Sequence, residues 1–240
     1  MSPENQASGA SGKLSELSVR ASACELCPQL VESRSQVVFG TGPADARLML
    51  VGEAPGASED REGVPFVGAS GRLLNELLEG IGLAREQVFI ANVLKCRPPQ
   101  NRDPKPEEVA NCSPWLERQL EIIDPAVVVT LGNFATRLLR GDTAPIGRVR
   151  GQVEICGVGD RLVRLLPVFH PAAALYRRPN LEVLQADFAL IPALVEMGPP
   201  DQAAAAAASG GGGPREPTVS GPAGADRPVK DDGSDQLGLF

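Results

Sequence analysis

Three side chains in this sequence could stabilise or move charge, and each ends an apolar run. "LMLVGEAPGASEDREGVPFVGASGRLL" (48–74) carries Glu53 where a phosphate-binding turn would want backbone amides and a cation. No helix starts beside Glu53, so capping does not explain the acid. Asn92 closes "QVFIAN" and His170, the only histidine, closes "LVRLLPVFH" just before a proline. Phe66, taken alone, reads as a core residue, and Asn92 alone as a turn or cap. A second set is made of sulfur. Cys24-x2-Cys27 has a chelating bite, and Cys96-x15-Cys112 supplies a second pair far along the chain. Four thiolates suit tetrahedral zinc or an iron–sulfur cluster equally well. Either would pin an amino-terminal helix to the proline-rich loop "CRPPQNRDPKPEEVANC". Cys156, in the expected strand "VEICGV", reads as an ordinary buried thiol.

The elements that must position these groups follow from periodicity. Residues 47–52, 87–94, 126–132 and 162–170 are continuous apolar runs, the pattern of strands covered on both faces. Between them, Leu73, Leu74, Leu77, Leu78 and Ile81 mark one helical face, a second helix is expected over 106–122, and a third near Asn133. "LEVLQADFALIPALVEM" (181–197) reads as a closing helix, and 14–24 as an opening one. Strand and helix alternating in this way imply an α/β fold, a three-layer sandwich with a central four-stranded parallel sheet flanked by helices. Ligands of such sheets bind beyond the carboxyl ends of the strands. Glu53, Asn92, Gly132-Asn133 and His170 are therefore expected around one crevice.

The chain has 240 residues and a net charge of −7. From Pro199 onward six acids face three bases, so the tail contributes −3. Arg137, Arg140, Arg148, Arg150, Arg161, Arg164, Arg177 and Arg178 fall within one 42-residue stretch, either a basic face for a phosphate backbone or a solvated arginine-rich surface. No signal pattern and no membrane-length apolar run occur, so a soluble cytoplasmic protein without disulfides is expected. Residues 1–13 read as disordered, 14–198 as the folded domain and 199–235 as a flexible linker poor in core-forming residues. The chain then ends in the apolar "QLGLF" (236–240), which a solvated tail gains nothing by exposing.

Taken together, "GEAPG" (52–56), "PFVGASGRLL" (65–74), "NVLKCRPPQNRDPKPEE" (92–108), "HPAAAL" (170–175) and the four cysteines resemble the family 4, iron–sulfur uracil-DNA glycosylases, from about residue 24 to 194. The resemblance implies a 4Fe–4S cluster on Cys24, Cys27, Cys96 and Cys112, a monomer, and hydrolysis of uracil from double- or single-stranded DNA. It implies that Glu53, with Gly52 and Ala54, borders the sugar and the base. Phe66 would stack on the flipped base, Asn92 would read O4 and N3–H, and His170 would donate toward O2. Pro55, Gly56 and the 68–71 turn with Ser70 would hold phosphates, Leu175 (or Ala174) would wedge into the duplex, and Arg177 and Arg178 would lie on phosphates. In the best-known branch an aspartate that handles the water stands where this chain has Ala54, so Glu53 is expected to assist the water or the cationic sugar. A related branch that traps its product uses a histidine in the loop matching 97–107, which has none here. "QLGLF" resembles the short motif by which bacterial replication proteins bind the sliding clamp.

Overall fold

The computed structural model describes residues 9–202, and the expected linker beyond them and residues 236–240 lie outside that range. Ten helices and five strands alternate within it. α1 (Ala10–Ser22) and α2 (Pro28–Ser33) precede β1 (Leu48–Gly52), followed by α3 (Ala57–Glu62), α4 (Ala69–Gly80) and β2 (Phe89–Asn92). α5 (Pro106–Ile123), β3 (Val127–Leu131), α6 (Asn133–Arg140) and the single turn α7 (Ile146–Val149) come next. β4 (Glu154–Val158), β5 (Arg161–Val168), α8 (Pro171–Tyr176), α9 (Pro179–Phe188) and α10 (Ile191–Glu196) complete the fold.

The sheet order is β2-β1-β3-β5-β4. β1 pairs in parallel with β2 and β3, and β3 in parallel with β5. Alternate residues along these strands feed two separate cores, since successive side chains point to opposite faces. Leu48, Leu50, Ile90, Val127 and Val129 pack with Leu74, Leu77 and Leu78 of α4 and with Leu184, Phe188 and Ile191. Met49, Val51, Phe89, Ala91 and Val128 pack on the other side with Leu14 and Leu17 of α1, Leu116 and Leu120 of α5, and Leu139 of α6. Both faces are covered, as parallel strands require.

Three expectations change. The sheet has five strands, not four: β4 joins antiparallel to β5 across the two-residue turn Gly159–Asp160 and forms one edge. Its side chains alternate in burial, leaving Ile155 half exposed and Cys156 only partly buried, because a single face of this edge strand meets the core. The closing helix is broken into α9 and α10 at Ala189–Leu190, with Pro192 in the first turn of the second piece, where a missing N–H costs nothing. The opening helix starts at Ala10 rather than Leu14, and the chain stays in place through Gln202, whose side chain both donates to and accepts from the backbone of Leu162. No helix among the described residues is long and apolar enough to cross a membrane.

Candidate active site

Two backbone bonds set the geometry at the carboxyl end of the sheet. The amide of Val93 donates to the carbonyl of Gly52 at 2.9 Å, and that of Leu94 to the carbonyl of Glu53 at 3.0 Å. The ladder between β1 and β2 thus runs past the strand ends and sets Glu53 beside Asn92. Around them lies a cavity of about 500 Å³, lined by Glu53, Ala54, Pro55, Gly56, Glu59, Phe66, Ser70, Asn92, Arg102, His170, Leu175 and Tyr176 among others. The crevice expected from topology therefore exists, and it gathers Glu53, Asn92, Phe66 and His170, whereas Gly132 and Asn133 do not line it and the Asn133 Oδ1 accepts the amide of Ile146 at 2.8 Å.

Phe66 is held in an unusual way. Its backbone sits in the left-handed region, φ 53°, which a non-glycine residue adopts at a cost. Two glycines make room for it. A Cβ on Gly71 would lie 1.9 Å from the carbonyl oxygen of Phe66, and one on Gly52 would meet the Phe66 ring at 2.8 Å and the Asn92 Oδ1 at 2.4 Å. Arg85 clamps the same segment, donating to the carbonyl of Phe66 at 3.1 Å, to that of Pro65 at 2.5 Å and to Asn75 Oδ1 at 3.1 Å. Gly52 thus acts by leaving space behind Phe66 and Asn92. The Phe66 ring faces that of His170, centroids 5.6 Å apart and planes 28° from parallel.

His170 caps α8. Its Nδ1 accepts the amide of Ala172 at 3.1 Å, and desolvation lowers its pKa to about 4. A neutral ring that accepts at Nδ1 carries its proton on Nε2. His170 is therefore a neutral Nε2–H donor lining the cavity. Glu53 is shifted the other way: burial first, and then the charge of Asp103, raise its pKa to about 6.

The structure adds residues that the sequence did not single out. Glu59 accepts from the amides of Val67 and Gly68 at 3.0 and 3.2 Å and lines the cavity beside His170. The start of the 68–71 turn, expected to face phosphate, is thus already capped by this acid. Tyr176, two-thirds exposed, shares the rim with half-exposed Leu175, while Ala174 is buried in the core and so is ruled out as the wedge. Arg177 and Arg178 are exposed just beyond the cavity rather than lining it. The arginine-rich stretch is less of a basic face than its composition suggests. Arg140 pairs with Asp142 and Glu154, Arg150 with Asp187, and Arg161 with Asp124. Arg164 is buried against the carbonyls of Ala126 and Gly198.

The four cysteines also meet. Cys96 and Cys112 are buried in a small cluster with Leu30 and Leu94, against which Cys27, Val37 and Trp115 pack, and Cys96 feels the charge of both Cys24 and Cys27. Three sulfurs accept N–H bonds: Cys96 from Arg34 Nη1 at 3.1 Å, Cys112 from the amide of Lys95 at 3.2 Å, and Cys27 from Asn111 Nδ2 at 3.6 Å. Among the described residues no three His, Cys, Asp or Glu side chains close on the point a single metal ion would occupy. One tetrahedral zinc would hold its four sulfurs about 3.8 Å apart, and a cubane cluster holds them more widely. Four thiols in an apolar setting with N–H donors on the sulfurs fit such a cluster.

Comparison with known proteins agrees with this geometry. The family model described as "Uracil DNA glycosylase superfamily" matches residues 39–189. A type-4 uracil-DNA glycosylase of Sulfurisphaera tokodaii is 46% identical over 175 residues, 70% of this chain and 79% of that one. Those of Archaeoglobus fulgidus and Thermotoga maritima are each 46% identical, over 70% and 68% of this chain and 86% and 84% of theirs. With the matched region running from before the first buried strand through α9 and including α8, which bears His170 at its cap, this chain belongs to the uracil DNA glycosylase superfamily.

Proposed function

We propose that this protein is a DNA-repair glycosylase that takes uracil out of the duplex or single strand and hydrolyses its N-glycosidic bond, leaving an abasic site. The observation that carries the reading is the meeting of Glu53, Asn92, Phe66 and neutral His170 around one cavity of about 500 Å³. Bond cleavage leaves positive charge on the sugar and negative charge on uracil, delocalised onto O2. The Nε2–H of His170 is a preorganised donor for O2, and the Glu53 carboxylate, with the Gly52 and Ala54 backbone beside it, meets the cationic sugar or draws a proton from the attacking water. The Asn92 amide gives a donor to O4 and an acceptor to N3–H, a pattern that cytosine reverses. Phe66 stacks on the extruded ring, an interaction worth about 1–3 kcal/mol, against a cost of a few kcal/mol for flipping. Leu175 fills the gap left in the stack. Pro55, Gly56, Ser70, Arg177 and Arg178 flank the path of the phosphate backbone.

Cys24, Cys27, Cys96 and Cys112 hold a 4Fe–4S cluster in this reading, whose work is to brace the segments that carry Asn92 and the loop over the cavity. Residues 236–240 dock on the sliding clamp, and the residues before them tether the enzyme near replicating DNA. Deleting 236–240 should abolish retention on clamp-loaded DNA and leave excision from short oligonucleotides unchanged.

The deciding experiment incubates the purified protein with a uracil-containing oligonucleotide and then cleaves with alkali. Strand scission is expected, and a His170→Ala variant should lose roughly 10²–10³ in single-turnover rate while keeping its affinity for DNA. A stable protein–DNA adduct would mean the product-trapping chemistry of related enzymes, and binding with neither outcome would mean a DNA-binding module.

A further inference from the structure

Among the described residues Lys95 is the most deeply buried cation, and the other buried charged groups are Asp60, Glu108, Arg164 and Asp187. Lys95 is 2% exposed, and no carboxylate pairs with it in any ion pair among the described residues. A buried ammonium with no counter-charge is costly, and structures that keep one have a use for it. Its hydrogen bonds say where that use lies. Nζ donates to the carbonyl of Asn92 at 2.8 Å and to Oε1 of Gln119 at 2.6 Å, and Gln119 in turn donates from Nε2 to the carbonyl of Phe39 at 2.8 Å. The backbone amide of Lys95 donates to Cys112 Sγ at 3.2 Å, its carbonyl accepts from Val38 at 2.7 Å, and the next residue is Cys96. Of the acidic groups around it, the one whose charge reaches this ammonium is the Cys112 thiol, the same sulfur that accepts from the Lys95 peptide. Arg34 reaches Cys96 from the partly exposed side of the site, so Lys95 is the cation on the dry side.

From these contacts we propose that Lys95 is a positioning residue shared by the two sites. Its ammonium supplies the counter-charge on the buried side of the four-thiolate cluster, and the same ammonium fixes the peptide of Asn92, the residue that reads the base. The five residues from Asn92 to Cys96 then form a short rigid link: a change in the charge or occupancy of the cysteine site moves the hydrogen bond that holds the asparagine. The inference deepens the glycosylase reading and rests on it.

The test compares wild type with Lys95→Met, which keeps the length and apolar volume of the stem. Far-UV circular dichroism and melting establish that the variant folds. Iron per chain, visible absorbance and single-turnover excision at saturating DNA are then measured. Lys95→Met is expected to lose at least half of its iron and at least tenfold in rate, with unchanged affinity for a thymine-containing control DNA. Loss of only one of the two, or of neither, overturns the proposal. Should Lys95→Met fail to fold, His170→Ala, which retains the link but turns over slowly, gives a second readout. Saturating it with uracil-containing single-stranded DNA should alter the visible circular dichroism of its iron chromophore, and the thymine control should not. An unchanged spectrum overturns the link. If wild type itself excises no uracil, the glycosylase reading fails first, so the two failures are distinguishable.

Discussion

At the scale of single residues, the cavity holds two titratable groups whose environments drive them in opposite directions. Burial and Asp103 raise Glu53 to about 6, while burial lowers His170 to about 4. In the proposed mechanism each group acts in one protonation state: Glu53 ionised, His170 neutral with Nε2–H forward. Between pH 5 and 8 only Glu53 titrates, so single-turnover excision should rise with pH through about 6 and then level off. Asp103→Asn removes the like charge and should move that limb to lower pH, though burial keeps it above the ordinary carboxylate range. Glu53→Gln should abolish the limb and cost roughly 10²-fold or more in rate. The sign for stability is the reverse. A carboxyl whose folded pKa is raised destabilises the fold once pH passes that of the unfolded chain, and so Glu53→Gln is expected to melt higher than wild type at pH 8. A variant that loses rate without gaining thermal stability would argue against the desolvated acid. Glu53, Asn92 and His170 were legible in the sequence because each ends an apolar run, and such ends converge in a parallel sheet. Glu59 was not: it lies within a short polar helix, and only the fold turns it onto the amides of Val67 and Gly68.

At the scale of elements, the segment between α3 and α4 exists to hold Phe66 in a strained conformation. The glycines around it were visible as "GASG", but their purpose was not, since a close approach of Gly71 to the Phe66 carbonyl is a tertiary fact. Arg85 was invisible for a related reason, because an arginine nineteen residues away carries no local sign that it clamps Pro65 and Phe66. Hydrogen bonds from a charged donor contribute about 1.5–3 kcal/mol each, enough to offset the cost of one left-handed residue. Arg85→Met should therefore release the ring more than unfold the protein. The expected result is a rise in KM for uracil-containing DNA of about tenfold with a smaller drop in kcat and a Tm lowered by a few degrees, read by steady-state kinetics and thermal melting. Gly71→Ala should be far worse, since backbone rather than a flexible side-chain end must give way. The edge strand β4 shows the limit of reading by apolar runs. Its alternating "EICGV" was recognisable as a strand, but nothing local said that it would extend the parallel sheet in the antiparallel sense.

At the scale of the whole molecule, stability is unevenly distributed. Two large apolar clusters sandwich the sheet and bring in α1, α4, α5, α6, α9 and α10 without Cys24, Cys27, Cys96 or Cys112. The cysteine region has only Leu30, Leu94, Cys96 and Cys112 buried, with α2, the first half of α5 and the loop between β2 and α5 leaning on it. That loop contains two adjacent non-glycine residues in the left-handed region, Gln100 and Asn101, braced by bonds from Arg97 to Asn101 and from Arg102 to Glu108. Such a loop, placed over the cavity through Asn101 and Arg102, needs a fixed base. If the proposed 4Fe–4S cluster braces this region, removing its iron with a strong chelator should leave the sheet folded and loosen one region. In hydrogen exchange, amides in residues 24–38 and 93–112 are expected to lose protection, while those of β1, β3 and β5 keep it. The melting transition should drop and broaden, and excision should fall along with the exchange protection of the 97–103 loop. If chelation instead unfolds the sheet in one cooperative step, the two clusters are not self-sufficient, and the cysteine site is a nucleus of the fold rather than a brace for one edge of the cavity.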